Sequence, residues 1–200
     1  TSGRMVVVTG RRRSGRTMFV IEATKERPTL YLYAARKAEA LLCHELAAQA
    51  EKKLGLSGLD EIGEFRALFK HLMGATKERG FNLIIDEFQE FNTINPNLLI
   101  DLQNIWDRNQ ERSRLCLILI GTNTKQTTRY FDGEKATLYG RVHTHIELPL
   151  LSLETLRHIL AEANPKHTLK DFLTFYAFTG GLPLYIDRLL KAKAYNVAQM

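Results

Sequence analysis

The sequence has little cysteine, no long apolar run and no low-complexity segment. Its two cysteines, Cys43 and Cys116, lie inside apolar patterns without metal-ligand spacing, which favours buried, reduced thiols over a disulfide framework. No segment approaches the roughly 18 apolar residues that cross a bilayer, and no signal peptide is visible. We therefore expect a cytoplasmic protein without membrane association, and the composition, 44% hydrophobic and 25% charged, is that of a soluble globular chain.

Positive charge is in excess and unevenly distributed. The formal net charge is +6, and five arginines lie close to one end of the sequence, namely Arg4, Arg11, Arg12, Arg13 and Arg16. Such a cluster fits a bound nucleotide as well as a nucleic acid. The overall basicity alone is weak evidence for DNA binding, which stays an open alternative.

Five apolar segments alternate with helical patterns along the first 150 residues. The predicted strands are Arg4–Thr9, Leu30–Tyr33, Phe81–Asp86, Leu115–Gly121 and His143–Leu148. The predicted helices are Thr17–Lys25, 36–54, 64–79 and Pro96 to about Arg108. This alternation predicts an α/β fold with a parallel sheet covered on both faces, whose ligands bind beyond the carboxyl ends of the strands.

The pattern changes to helices alone from Ser152 onward. We therefore divide the chain into a core at 1–150 and a helical subdomain at 151–200, with a helix stop at Gly180 and proline opening the next helix at Pro183. The sequence starts within a few residues of a strand and ends on a helical pattern without a capping signal. We expect it to be part of a longer protein.

A glycine-containing basic segment follows the first predicted strand directly. Residues 10–17 read GRRRSGRT, which has the spacing of the phosphate loop G-x-x-x-x-G-K-[ST] with arginine at the lysine position. The glycines let successive N–H groups face an anion, and the helix that starts here adds its positive dipole end. A basic turn without a ligand is the alternative, and the segment alone does not decide between them.

Two acids end the third predicted strand. Neighbouring strand residues point to opposite faces, so Asp86 and Glu87 have different tasks. With a phosphate loop upstream, we assign Mg²⁺ to Thr17 and Asp86, and the orientation and deprotonation of the attacking water to Glu87. The alternative is a polar strand end that leads into a turn.

Three further positions complete the candidate site. Thr122 or Asn123, after the fourth strand, would hydrogen-bond the attacking water or the γ-phosphate, and the residues alone do not choose between them. Arg141, before the fifth strand, is a candidate arginine finger acting within its own or a neighbouring subunit, with a solvated arginine as the alternative. His143 and His145 share one strand face but lack a third ligand, so we do not expect a metal site there.

The order GRRRSGRT, LIIDEFQ, LILIGTN, LYGR and TGGLP resembles the archaeal-type ATPase family, a STAND-like branch of the P-loop ATPases related to AAA+ proteins. The resemblance covers most of residues 4–191. It implies a three-layer core with a five-stranded sheet and a helical lid, with the nucleotide lying between them. It also implies ATP or ADP and Mg²⁺ as cofactors, and homo-oligomers or DNA or protein partners through flanking domains that this sequence lacks.

The resemblance carries the family's roles over to particular positions. Asp86 and Glu87 would be the Walker B pair, and Arg141 the arginine that senses the γ-phosphate; from its place after the fourth strand, we also count Asn123 among the candidate catalytic residues. Pro183 would face adenine. The full set of candidate nucleotide-binding residues is Gly10, Arg11, Arg12, Arg13, Ser14, Gly15, Arg16, Thr17, Met18 and Pro183.

Arg16 departs from the family pattern. A guanidinium keeps the positive charge of lysine but is a wider planar fork, so its donors meet the phosphate from different positions. Loss of one aligned charge-assisted hydrogen bond costs about 1.5–3 kcal/mol. The leading hypothesis is accordingly an ATP-dependent switch with reduced hydrolysis, and the alternatives are a non-hydrolysing nucleotide-binding module and a DNA-binding fragment that uses Arg11–Arg13.

Overall fold

Five short strands form one sheet. They are β1 (Arg4–Gly10), β2 (Thr29–Tyr33), β3 (Asn82–Asp86), β4 (Cys116–Thr122) and β5 (Thr144–Leu148). Their order across the sheet is β2-β3-β4-β1-β5, and the strands are parallel, which confirms the predicted α/β class. In the register, Asp86 at the end of β3 stands opposite Tyr33 of β2 and Ile120 of β4.

The structure is a computed structural model that describes residues 2–34, 37–122 and 125–200. Its contacts divide the chain into two units. The first comprises Thr1–Thr9 with Thr17–Glu147, and the second comprises Gly10–Arg16 with Leu148–Met200. The short loop at 10–16 therefore groups with the carboxyl-terminal residues, although it interrupts the first unit in the chain.

Helices of the first unit connect its strands. They are α1 (Arg16–Thr24), α2 (Glu39–Leu54), α3 (Phe65–Ala75), α4 (Phe91–Ile94), α5 (Leu98–Asn109) and α6 (Lys125–Thr128), with single 3₁₀ turns at Phe88–Glu90 and Gln110–Arg112. Strand alternation divides the apolar residues between two faces. Leu83 and Leu117 lie in a large core with residues of α2, α3 and α5, whereas Ile84 and Ile118 pack with Val20 of α1. The ends of the strands, where the candidate site residues lie, are thus held by a packed core.

Three helix boundaries differ from the prediction by two residues or more, and the first is the start of α2, which begins at Glu39 rather than at 36. We expected a helix over 64–79, but α3 ends at Ala75, because the Thr76 hydroxyl donates to the Met73 carbonyl at 2.6 Å and bonds the Ser113 hydroxyl at 2.7 Å. A side-chain bond of this kind competes with continuation of a helix. The helix expected to open at Pro96 begins at Leu98, preceded by the separate short helix α4.

The second unit contains three helices, α7 (Leu153–Ala163), α8 (Leu169–Thr179) and α9 (Pro183–Lys191). Ser152 caps α7 by accepting the Thr155 N–H at 3.1 Å, as a serine at this position predicts. Gly180 ends α8 in the left-handed conformation, with φ of 54°, and Pro183 opens α9. A small apolar core, formed by Leu156, Leu160, Phe175 and Ile186, holds the helices together. In the part of the chain that the structure describes, no helix is long and apolar enough to span a membrane.

Candidate active site

Asp86 is the centre of a hydrogen-bonded cluster at the carboxyl end of β3. Its side chain is 3% exposed, and its Oδ2 accepts the Thr17 hydroxyl at 2.6 Å and the Tyr31 hydroxyl at 2.9 Å. Its Oδ1 accepts the backbone N–H of Glu87 at 2.8 Å. Three hydrogen-bond donors thus satisfy the oxygens of this buried carboxylate. The structure therefore brings Thr17 and Asp86 together, as the sequence predicts, while their metal-binding role stays a prediction.

Tyr31 is a member of this cluster that the sequence analysis missed. Tyr31 stands opposite Ile84 in the sheet, so it shares a face with Asp86, two residues further along β3. Burial raises the pKa of the Tyr31 hydroxyl, and the negative charge of Asp86 and the hydrogen bond to it raise it further. The phenol accordingly stays protonated and donates to Asp86. The alternation of Leu30-Tyr31-Leu32-Tyr33 predicted that Tyr31 lies on one face of its strand, but it could not predict that β3 is the neighbouring strand.

Glu87 turns the chain away from the strand. It is one of the non-glycine residues with positive φ, at 53°, which a glutamate adopts at a cost in energy. We expected strand alternation to direct Glu87 away from Asp86, but the strand ends at Asp86 and Glu87 begins the turn that follows it. The Glu87 Oε2 accepts the Thr122 hydroxyl at 3.1 Å and the side-chain amide of Gln89. Its carboxylate is therefore held by the 3₁₀ turn that follows it and by the end of β4.

Gly121 allows the end of β4 to pass close to that turn. A Cβ added at Gly121 would lie 2.7 Å from the Thr127 methyl group and 2.8 Å from the Phe88 ring. Only glycine fits this approach without displacement of its neighbours. Of the two residues left open after β4, Thr122 contacts Glu87, and Asn123 lies outside the described residues. The catalytic role assigned to Asn123 thus stays a prediction.

The candidate phosphate loop at 10–16 is a tight turn that leads into α1. The Ser14 N–H donates to the Arg11 carbonyl at 3.1 Å, and both Arg13 and Gly15 have positive φ, at 71° and 87°. Because residues with a side chain rarely adopt such angles, the backbone conformation explains why the motif has glycine at position 15. A Cβ at Gly10 would lie 2.9 Å from the Leu148 carbonyl oxygen, so this close approach explains why the motif has glycine at position 10.

One observation indicates directly that the loop can bind an anion. Ser14 is 3% exposed, and within residues 2–34, 37–122 and 125–200 its hydroxyl has no hydrogen-bond partner. An unpartnered buried hydroxyl is costly unless a ligand or water bonds it. The start of α1 at Arg16 adds its dipole and N–H groups here. Arg16 is 7% exposed, whereas Arg11, Arg12 and the 70%-exposed Met18 lie at the surface.

One residue of the loop, Arg13, contacts α9 within the second unit, and Gly15 lies close to that helix. The space where a Cβ of Gly15 would lie is 3.7 Å from Cγ of Pro183. Arg13 donates to the Tyr185 hydroxyl at 2.5 Å, and its guanidinium carbon lies 5.7 Å from the centre of that ring. The structure thus places Pro183 next to the loop, and its contact with adenine stays a prediction. Tyr185 is a second residue that the sequence analysis missed.

Arg141 forms a fixed ion pair. Its Nε and one terminal nitrogen both donate to Asp107 of α5 at 2.7 Å, and the other terminal nitrogen donates to the Tyr139 carbonyl at 2.8 Å. Such a two-pronged bond holds the planar guanidinium in one orientation. Arg141 is therefore neither a freely solvated side chain nor, in this conformation, bonded to Asp86 or Glu87. Its phosphate-sensing role stays a prediction.

The two histidines before and within β5 have structural bonds. His143 Nδ1 accepts the Met5 N–H at 3.2 Å, and His145 Nε2 bonds the Thr9 hydroxyl at 2.8 Å, so both link β5 to β1. Among the residues described, no group of three or more His, Cys, Asp or Glu side chains is placed to hold a metal. A cation held by one hydroxyl, one carboxylate and phosphate oxygens needs no such group, and Thr17 and Asp86 offer that donor set.

The fold and this arrangement agree with comparisons to known proteins. A family model described as an ATPase domain predominantly from Archaea matches residues 1–189. The chain belongs to this archaeal ATPase family. The match extends over β1 to α9 and so includes both units and the candidate site. The resemblance found in the sequence is confirmed.

Individual members and solved structures are distant. An uncharacterized protein of Methanocaldococcus jannaschii is 24% identical over 184 residues, which are 92% of this chain and 39% of that protein. A Walker-type ATPase of Pyrococcus abyssi has 18% identity and a TM-score of 0.69, over 91% of this chain and 60% of that one. A STAND protein of Pyrococcus horikoshii with a tetratricopeptide repeat sensor has 18% identity and a TM-score of 0.63, over 95% and 28%.

The Aeropyrum pernix ORC2 protein, solved in complexes with ADPNP and ADP, gives a TM-score of 0.60 at 15% identity over 80% of this chain and 45% of that one. These structural similarities establish a P-loop ATPase fold. The chain spans 39% of the curated relative and 60% or less of the solved chains, so the activity of a whole protein is not transferred by them.

Proposed function

We propose that the chain binds adenine nucleotide at residues 10–17 and hydrolyses ATP slowly with Mg²⁺. The observation that carries this proposal is the 2.6 Å bond between the Thr17 hydroxyl and the Asp86 carboxylate. Thr17 follows the loop directly and is the second residue of α1, while Asp86 ends β3. A P-loop ATPase needs a hydroxyl and a carboxylate at these places to hold the cation beside the phosphates.

The loop supplies the phosphate contacts. Its backbone N–H groups, the start of α1 and the buried Ser14 hydroxyl are donors suited to phosphate oxygens. Arg16 adds a positive charge at the position where the family has lysine. Because Arg13 bonds Tyr185 of α9 and Gly15 lies close to that helix, occupancy of the loop would also affect the helices at 148–200, which suits a nucleotide-dependent switch.

Thr17 and Asp86 would hold Mg²⁺, which when bound neutralises phosphate charge and polarises the transferred group. Asp86 would exchange the Thr17 and Tyr31 hydroxyls for the cation or its water. Glu87 would orient the attacking water and accept its proton. Thr122 and Gln89 hold the Glu87 carboxylate at one oxygen and so fix its direction.

A non-hydrolysing nucleotide-binding module is the second candidate function. It is favoured by Arg16, a wide side chain that is 7% exposed at the position where the family has a slender lysine, and by the ion pair that holds Arg141 on Asp107. The two functions share the binding site and differ only in turnover. Action of Arg141 across a homo-oligomer, and DNA or protein partners bound through flanking segments, are further proposals.

Substitution of Asp86 by asparagine tests the proposed function. We expect Mg²⁺ to strengthen ATP binding to the wild-type chain and to have almost no effect on the Asp86→Asn chain, because the amide keeps the shape but not the charge. Isothermal titration of ATP with and without Mg²⁺ measures the difference. Asp132→Asn, at an exposed acid of the same unit, is the matched control. An unchanged Mg²⁺ effect in Asp86→Asn would remove the cation site from the proposal.

Replacement of Arg16 by the lysine that the family has at this position distinguishes the two candidate functions. We expect Arg16→Lys to raise ATP turnover at least several-fold, because the compact ammonium fits among the phosphates as the loop spacing requires. Arg13→Lys, three residues earlier in the same loop, is the control for a change of basic side chain. Steady-state phosphate release measures the rates. Equal or lower turnover in Arg16→Lys would show that the guanidinium is accommodated and that it does not limit hydrolysis.

A further inference from the structure

A second basic surface lies at the amino ends of the strands, the sheet edge opposite to Asp86 and Glu87. The segments that lead into β1, β2, β3 and β4 are residues 2–4, 25–28, 77–81 and 111–115. They contain seven basic and three acidic side chains, a surplus of four positive charges in a chain whose total is +6. With Lys53, they form what we call the amino-edge patch, which consists of Arg4, Lys25, Arg27, Lys53, Lys77, Arg79, Arg112 and Arg114. All eight side chains are exposed.

The sheet brings these segments side by side. Strand order places β2, β3, β4 and β1 in a row, so one arginine stands at or just before the start of each, at Arg27, Arg79, Arg114 and Arg4. Adjacent strands lie about 4.8 Å apart, and the row is therefore about 14 Å wide. This width corresponds to about four phosphates along one strand of a duplex, at 3.4 Å of rise each.

Backbone contacts fix the spacing of the row. The Arg4 N–H donates to the Leu115 carbonyl at 2.8 Å, and the Asn82 N–H donates to the Pro28 carbonyl at 2.9 Å. A Cβ at Gly80 would lie 3.3 Å from that of Arg114. The segments that carry the four arginines are thus bonded to one another rather than independent loops.

The remaining basic side chains extend the row. The buried Thr76–Ser113 bond, at 2.7 Å, holds the segment of Lys77 beside the segment of Arg112. The Lys53 ammonium donates to the Thr29 carbonyl at 2.8 Å and so lies at the start of β2. A cavity of about 520 Å³ opens there, lined among others by Lys25, Arg27 and Lys53.

The charge of the four arginines in the row is available to a partner, whereas Lys25 of the patch pairs with Glu22. None of the ion pairs found within the described ranges uses Arg4, Arg27, Arg79 or Arg114. Burial raises the pKa of the Cys116 thiol, and Arg27 and Arg4 lower it, so both guanidinium groups act at the start of β4.

We propose that the amino-edge patch binds the phosphate backbone of double-stranded nucleic acid without sequence specificity. Arginine predominates over lysine in the row, and its planar fork suits phosphate oxygens. The four leading segments contain a single aromatic residue, Phe81, which is 2% exposed, so the patch has no stacking platform for the unpaired bases of a single strand. It also presents strand starts rather than a helix that could enter a groove and read bases.

Salt dependence of duplex binding tests this proposal. For about four phosphate contacts, log affinity against log salt concentration should fall with a slope of about −3.6, equal for two unrelated duplexes of about two helical turns. The double substitution Arg27→Gln with Arg114→Gln should make the slope shallower by about 2 and lower the affinity on the order of 50-fold near 0.1 M salt. Fluorescence anisotropy from about 50 to 200 mM salt measures both quantities.

The control removes the same charge from the opposite side of the sheet. Arg66 lies in the first turn of α3, whose start bonds Glu39 at the start of α2, and Arg129 follows β4, so neither is near the strand starts. Arg66→Gln with Arg129→Gln should leave slope and affinity nearly unchanged. Equal losses in both double variants, tighter binding of single strands than of duplex, or equal competition by polyglutamate of matched charge would each overturn the proposal. ADP affinity, measured alongside, reports the nucleotide site and should be the same in all three chains.

Discussion

Replacement of Glu87 by glutamine is expected to abolish ATP turnover while nucleotide binding persists. The amide keeps the size of the side chain and can still bond Thr122 through its oxygen, but it cannot accept a proton from water. Loss of a general base lowers a rate by about 10²- to 10⁴-fold. Glu87 also departs from ordinary backbone geometry at φ of 53°, which glutamine tolerates as poorly as glutamate, so folding should not change.

Two measurements decide the outcome for Glu87. Phosphate release under conditions that saturate the chain with ATP and Mg²⁺ gives the turnover, and titration with ADP gives the binding. Glu90→Gln, in the same 3₁₀ turn, is the matched control because it makes the same chemical change three residues further on. Wild-type turnover in Glu87→Gln would assign the base to another residue, and loss of ADP binding would show a structural role instead.

The second large effect is expected at Gly15, where valine should weaken ATP and ADP binding by at least about 100-fold. Gly15 has φ of 87°, a region that costs a β-branched residue about 1–3 kcal/mol. Relief of that strain would turn the loop N–H groups away from a shared anion. The added side chain would also approach Pro183, whose Cγ lies 3.7 Å from the Cβ position.

Gly133 offers a matched control for the strain itself. Its φ is 85°, and no atom lies within 4 Å of the position of an added Cβ, so Gly133→Val introduces a similar backbone cost far from the motif. Both variants should show a similar decrease in thermal midpoint, but only Gly15→Val should lose nucleotide affinity in isothermal titration. Unchanged affinity in Gly15→Val would show that residues 10–17 do not form a phosphate site.

The periodicity of apolar residues and the positions of turn residues predicted most of the fold. All five strands were placed within one residue of their observed limits, since buried parallel strands are short, apolar and bounded by turn residues. The end of α3 was not predictable, because the bond between Thr76 and Ser113 joins residues that are 37 positions apart. Local helix formers indicated a longer helix, and a distant partner ended it.

The sequence predicted those residues of the candidate site that lie in a motif of fixed spacing or at the end of a strand. Thr17 and Asp86 were paired from motif spacing, and they lie within 2.6 Å. The contributions of Tyr31 and Tyr185 were not predictable, because each depends on which elements are neighbours in space. Strand order brings Tyr31 to Asp86, and the grouping of residues 10–16 with α9 brings Arg13 to Tyr185. Spacing within one motif contains no information about either.

The hydrogen bonds of Asp86 bear on whether folding of the chain depends on a metal ion. In many small metalloproteins the ligands repel one another or stay unsatisfied until the ion arrives, and folding then depends on metal supply. Here the hydroxyls of Thr17 and Tyr31 and the N–H of Glu87 already compensate the buried charge. We therefore expect the sheet to assemble without a bound metal ion. On the proposed function, a cation that binds at Thr17 and Asp86 must displace some of these hydrogen bonds, and this exchange lowers its affinity.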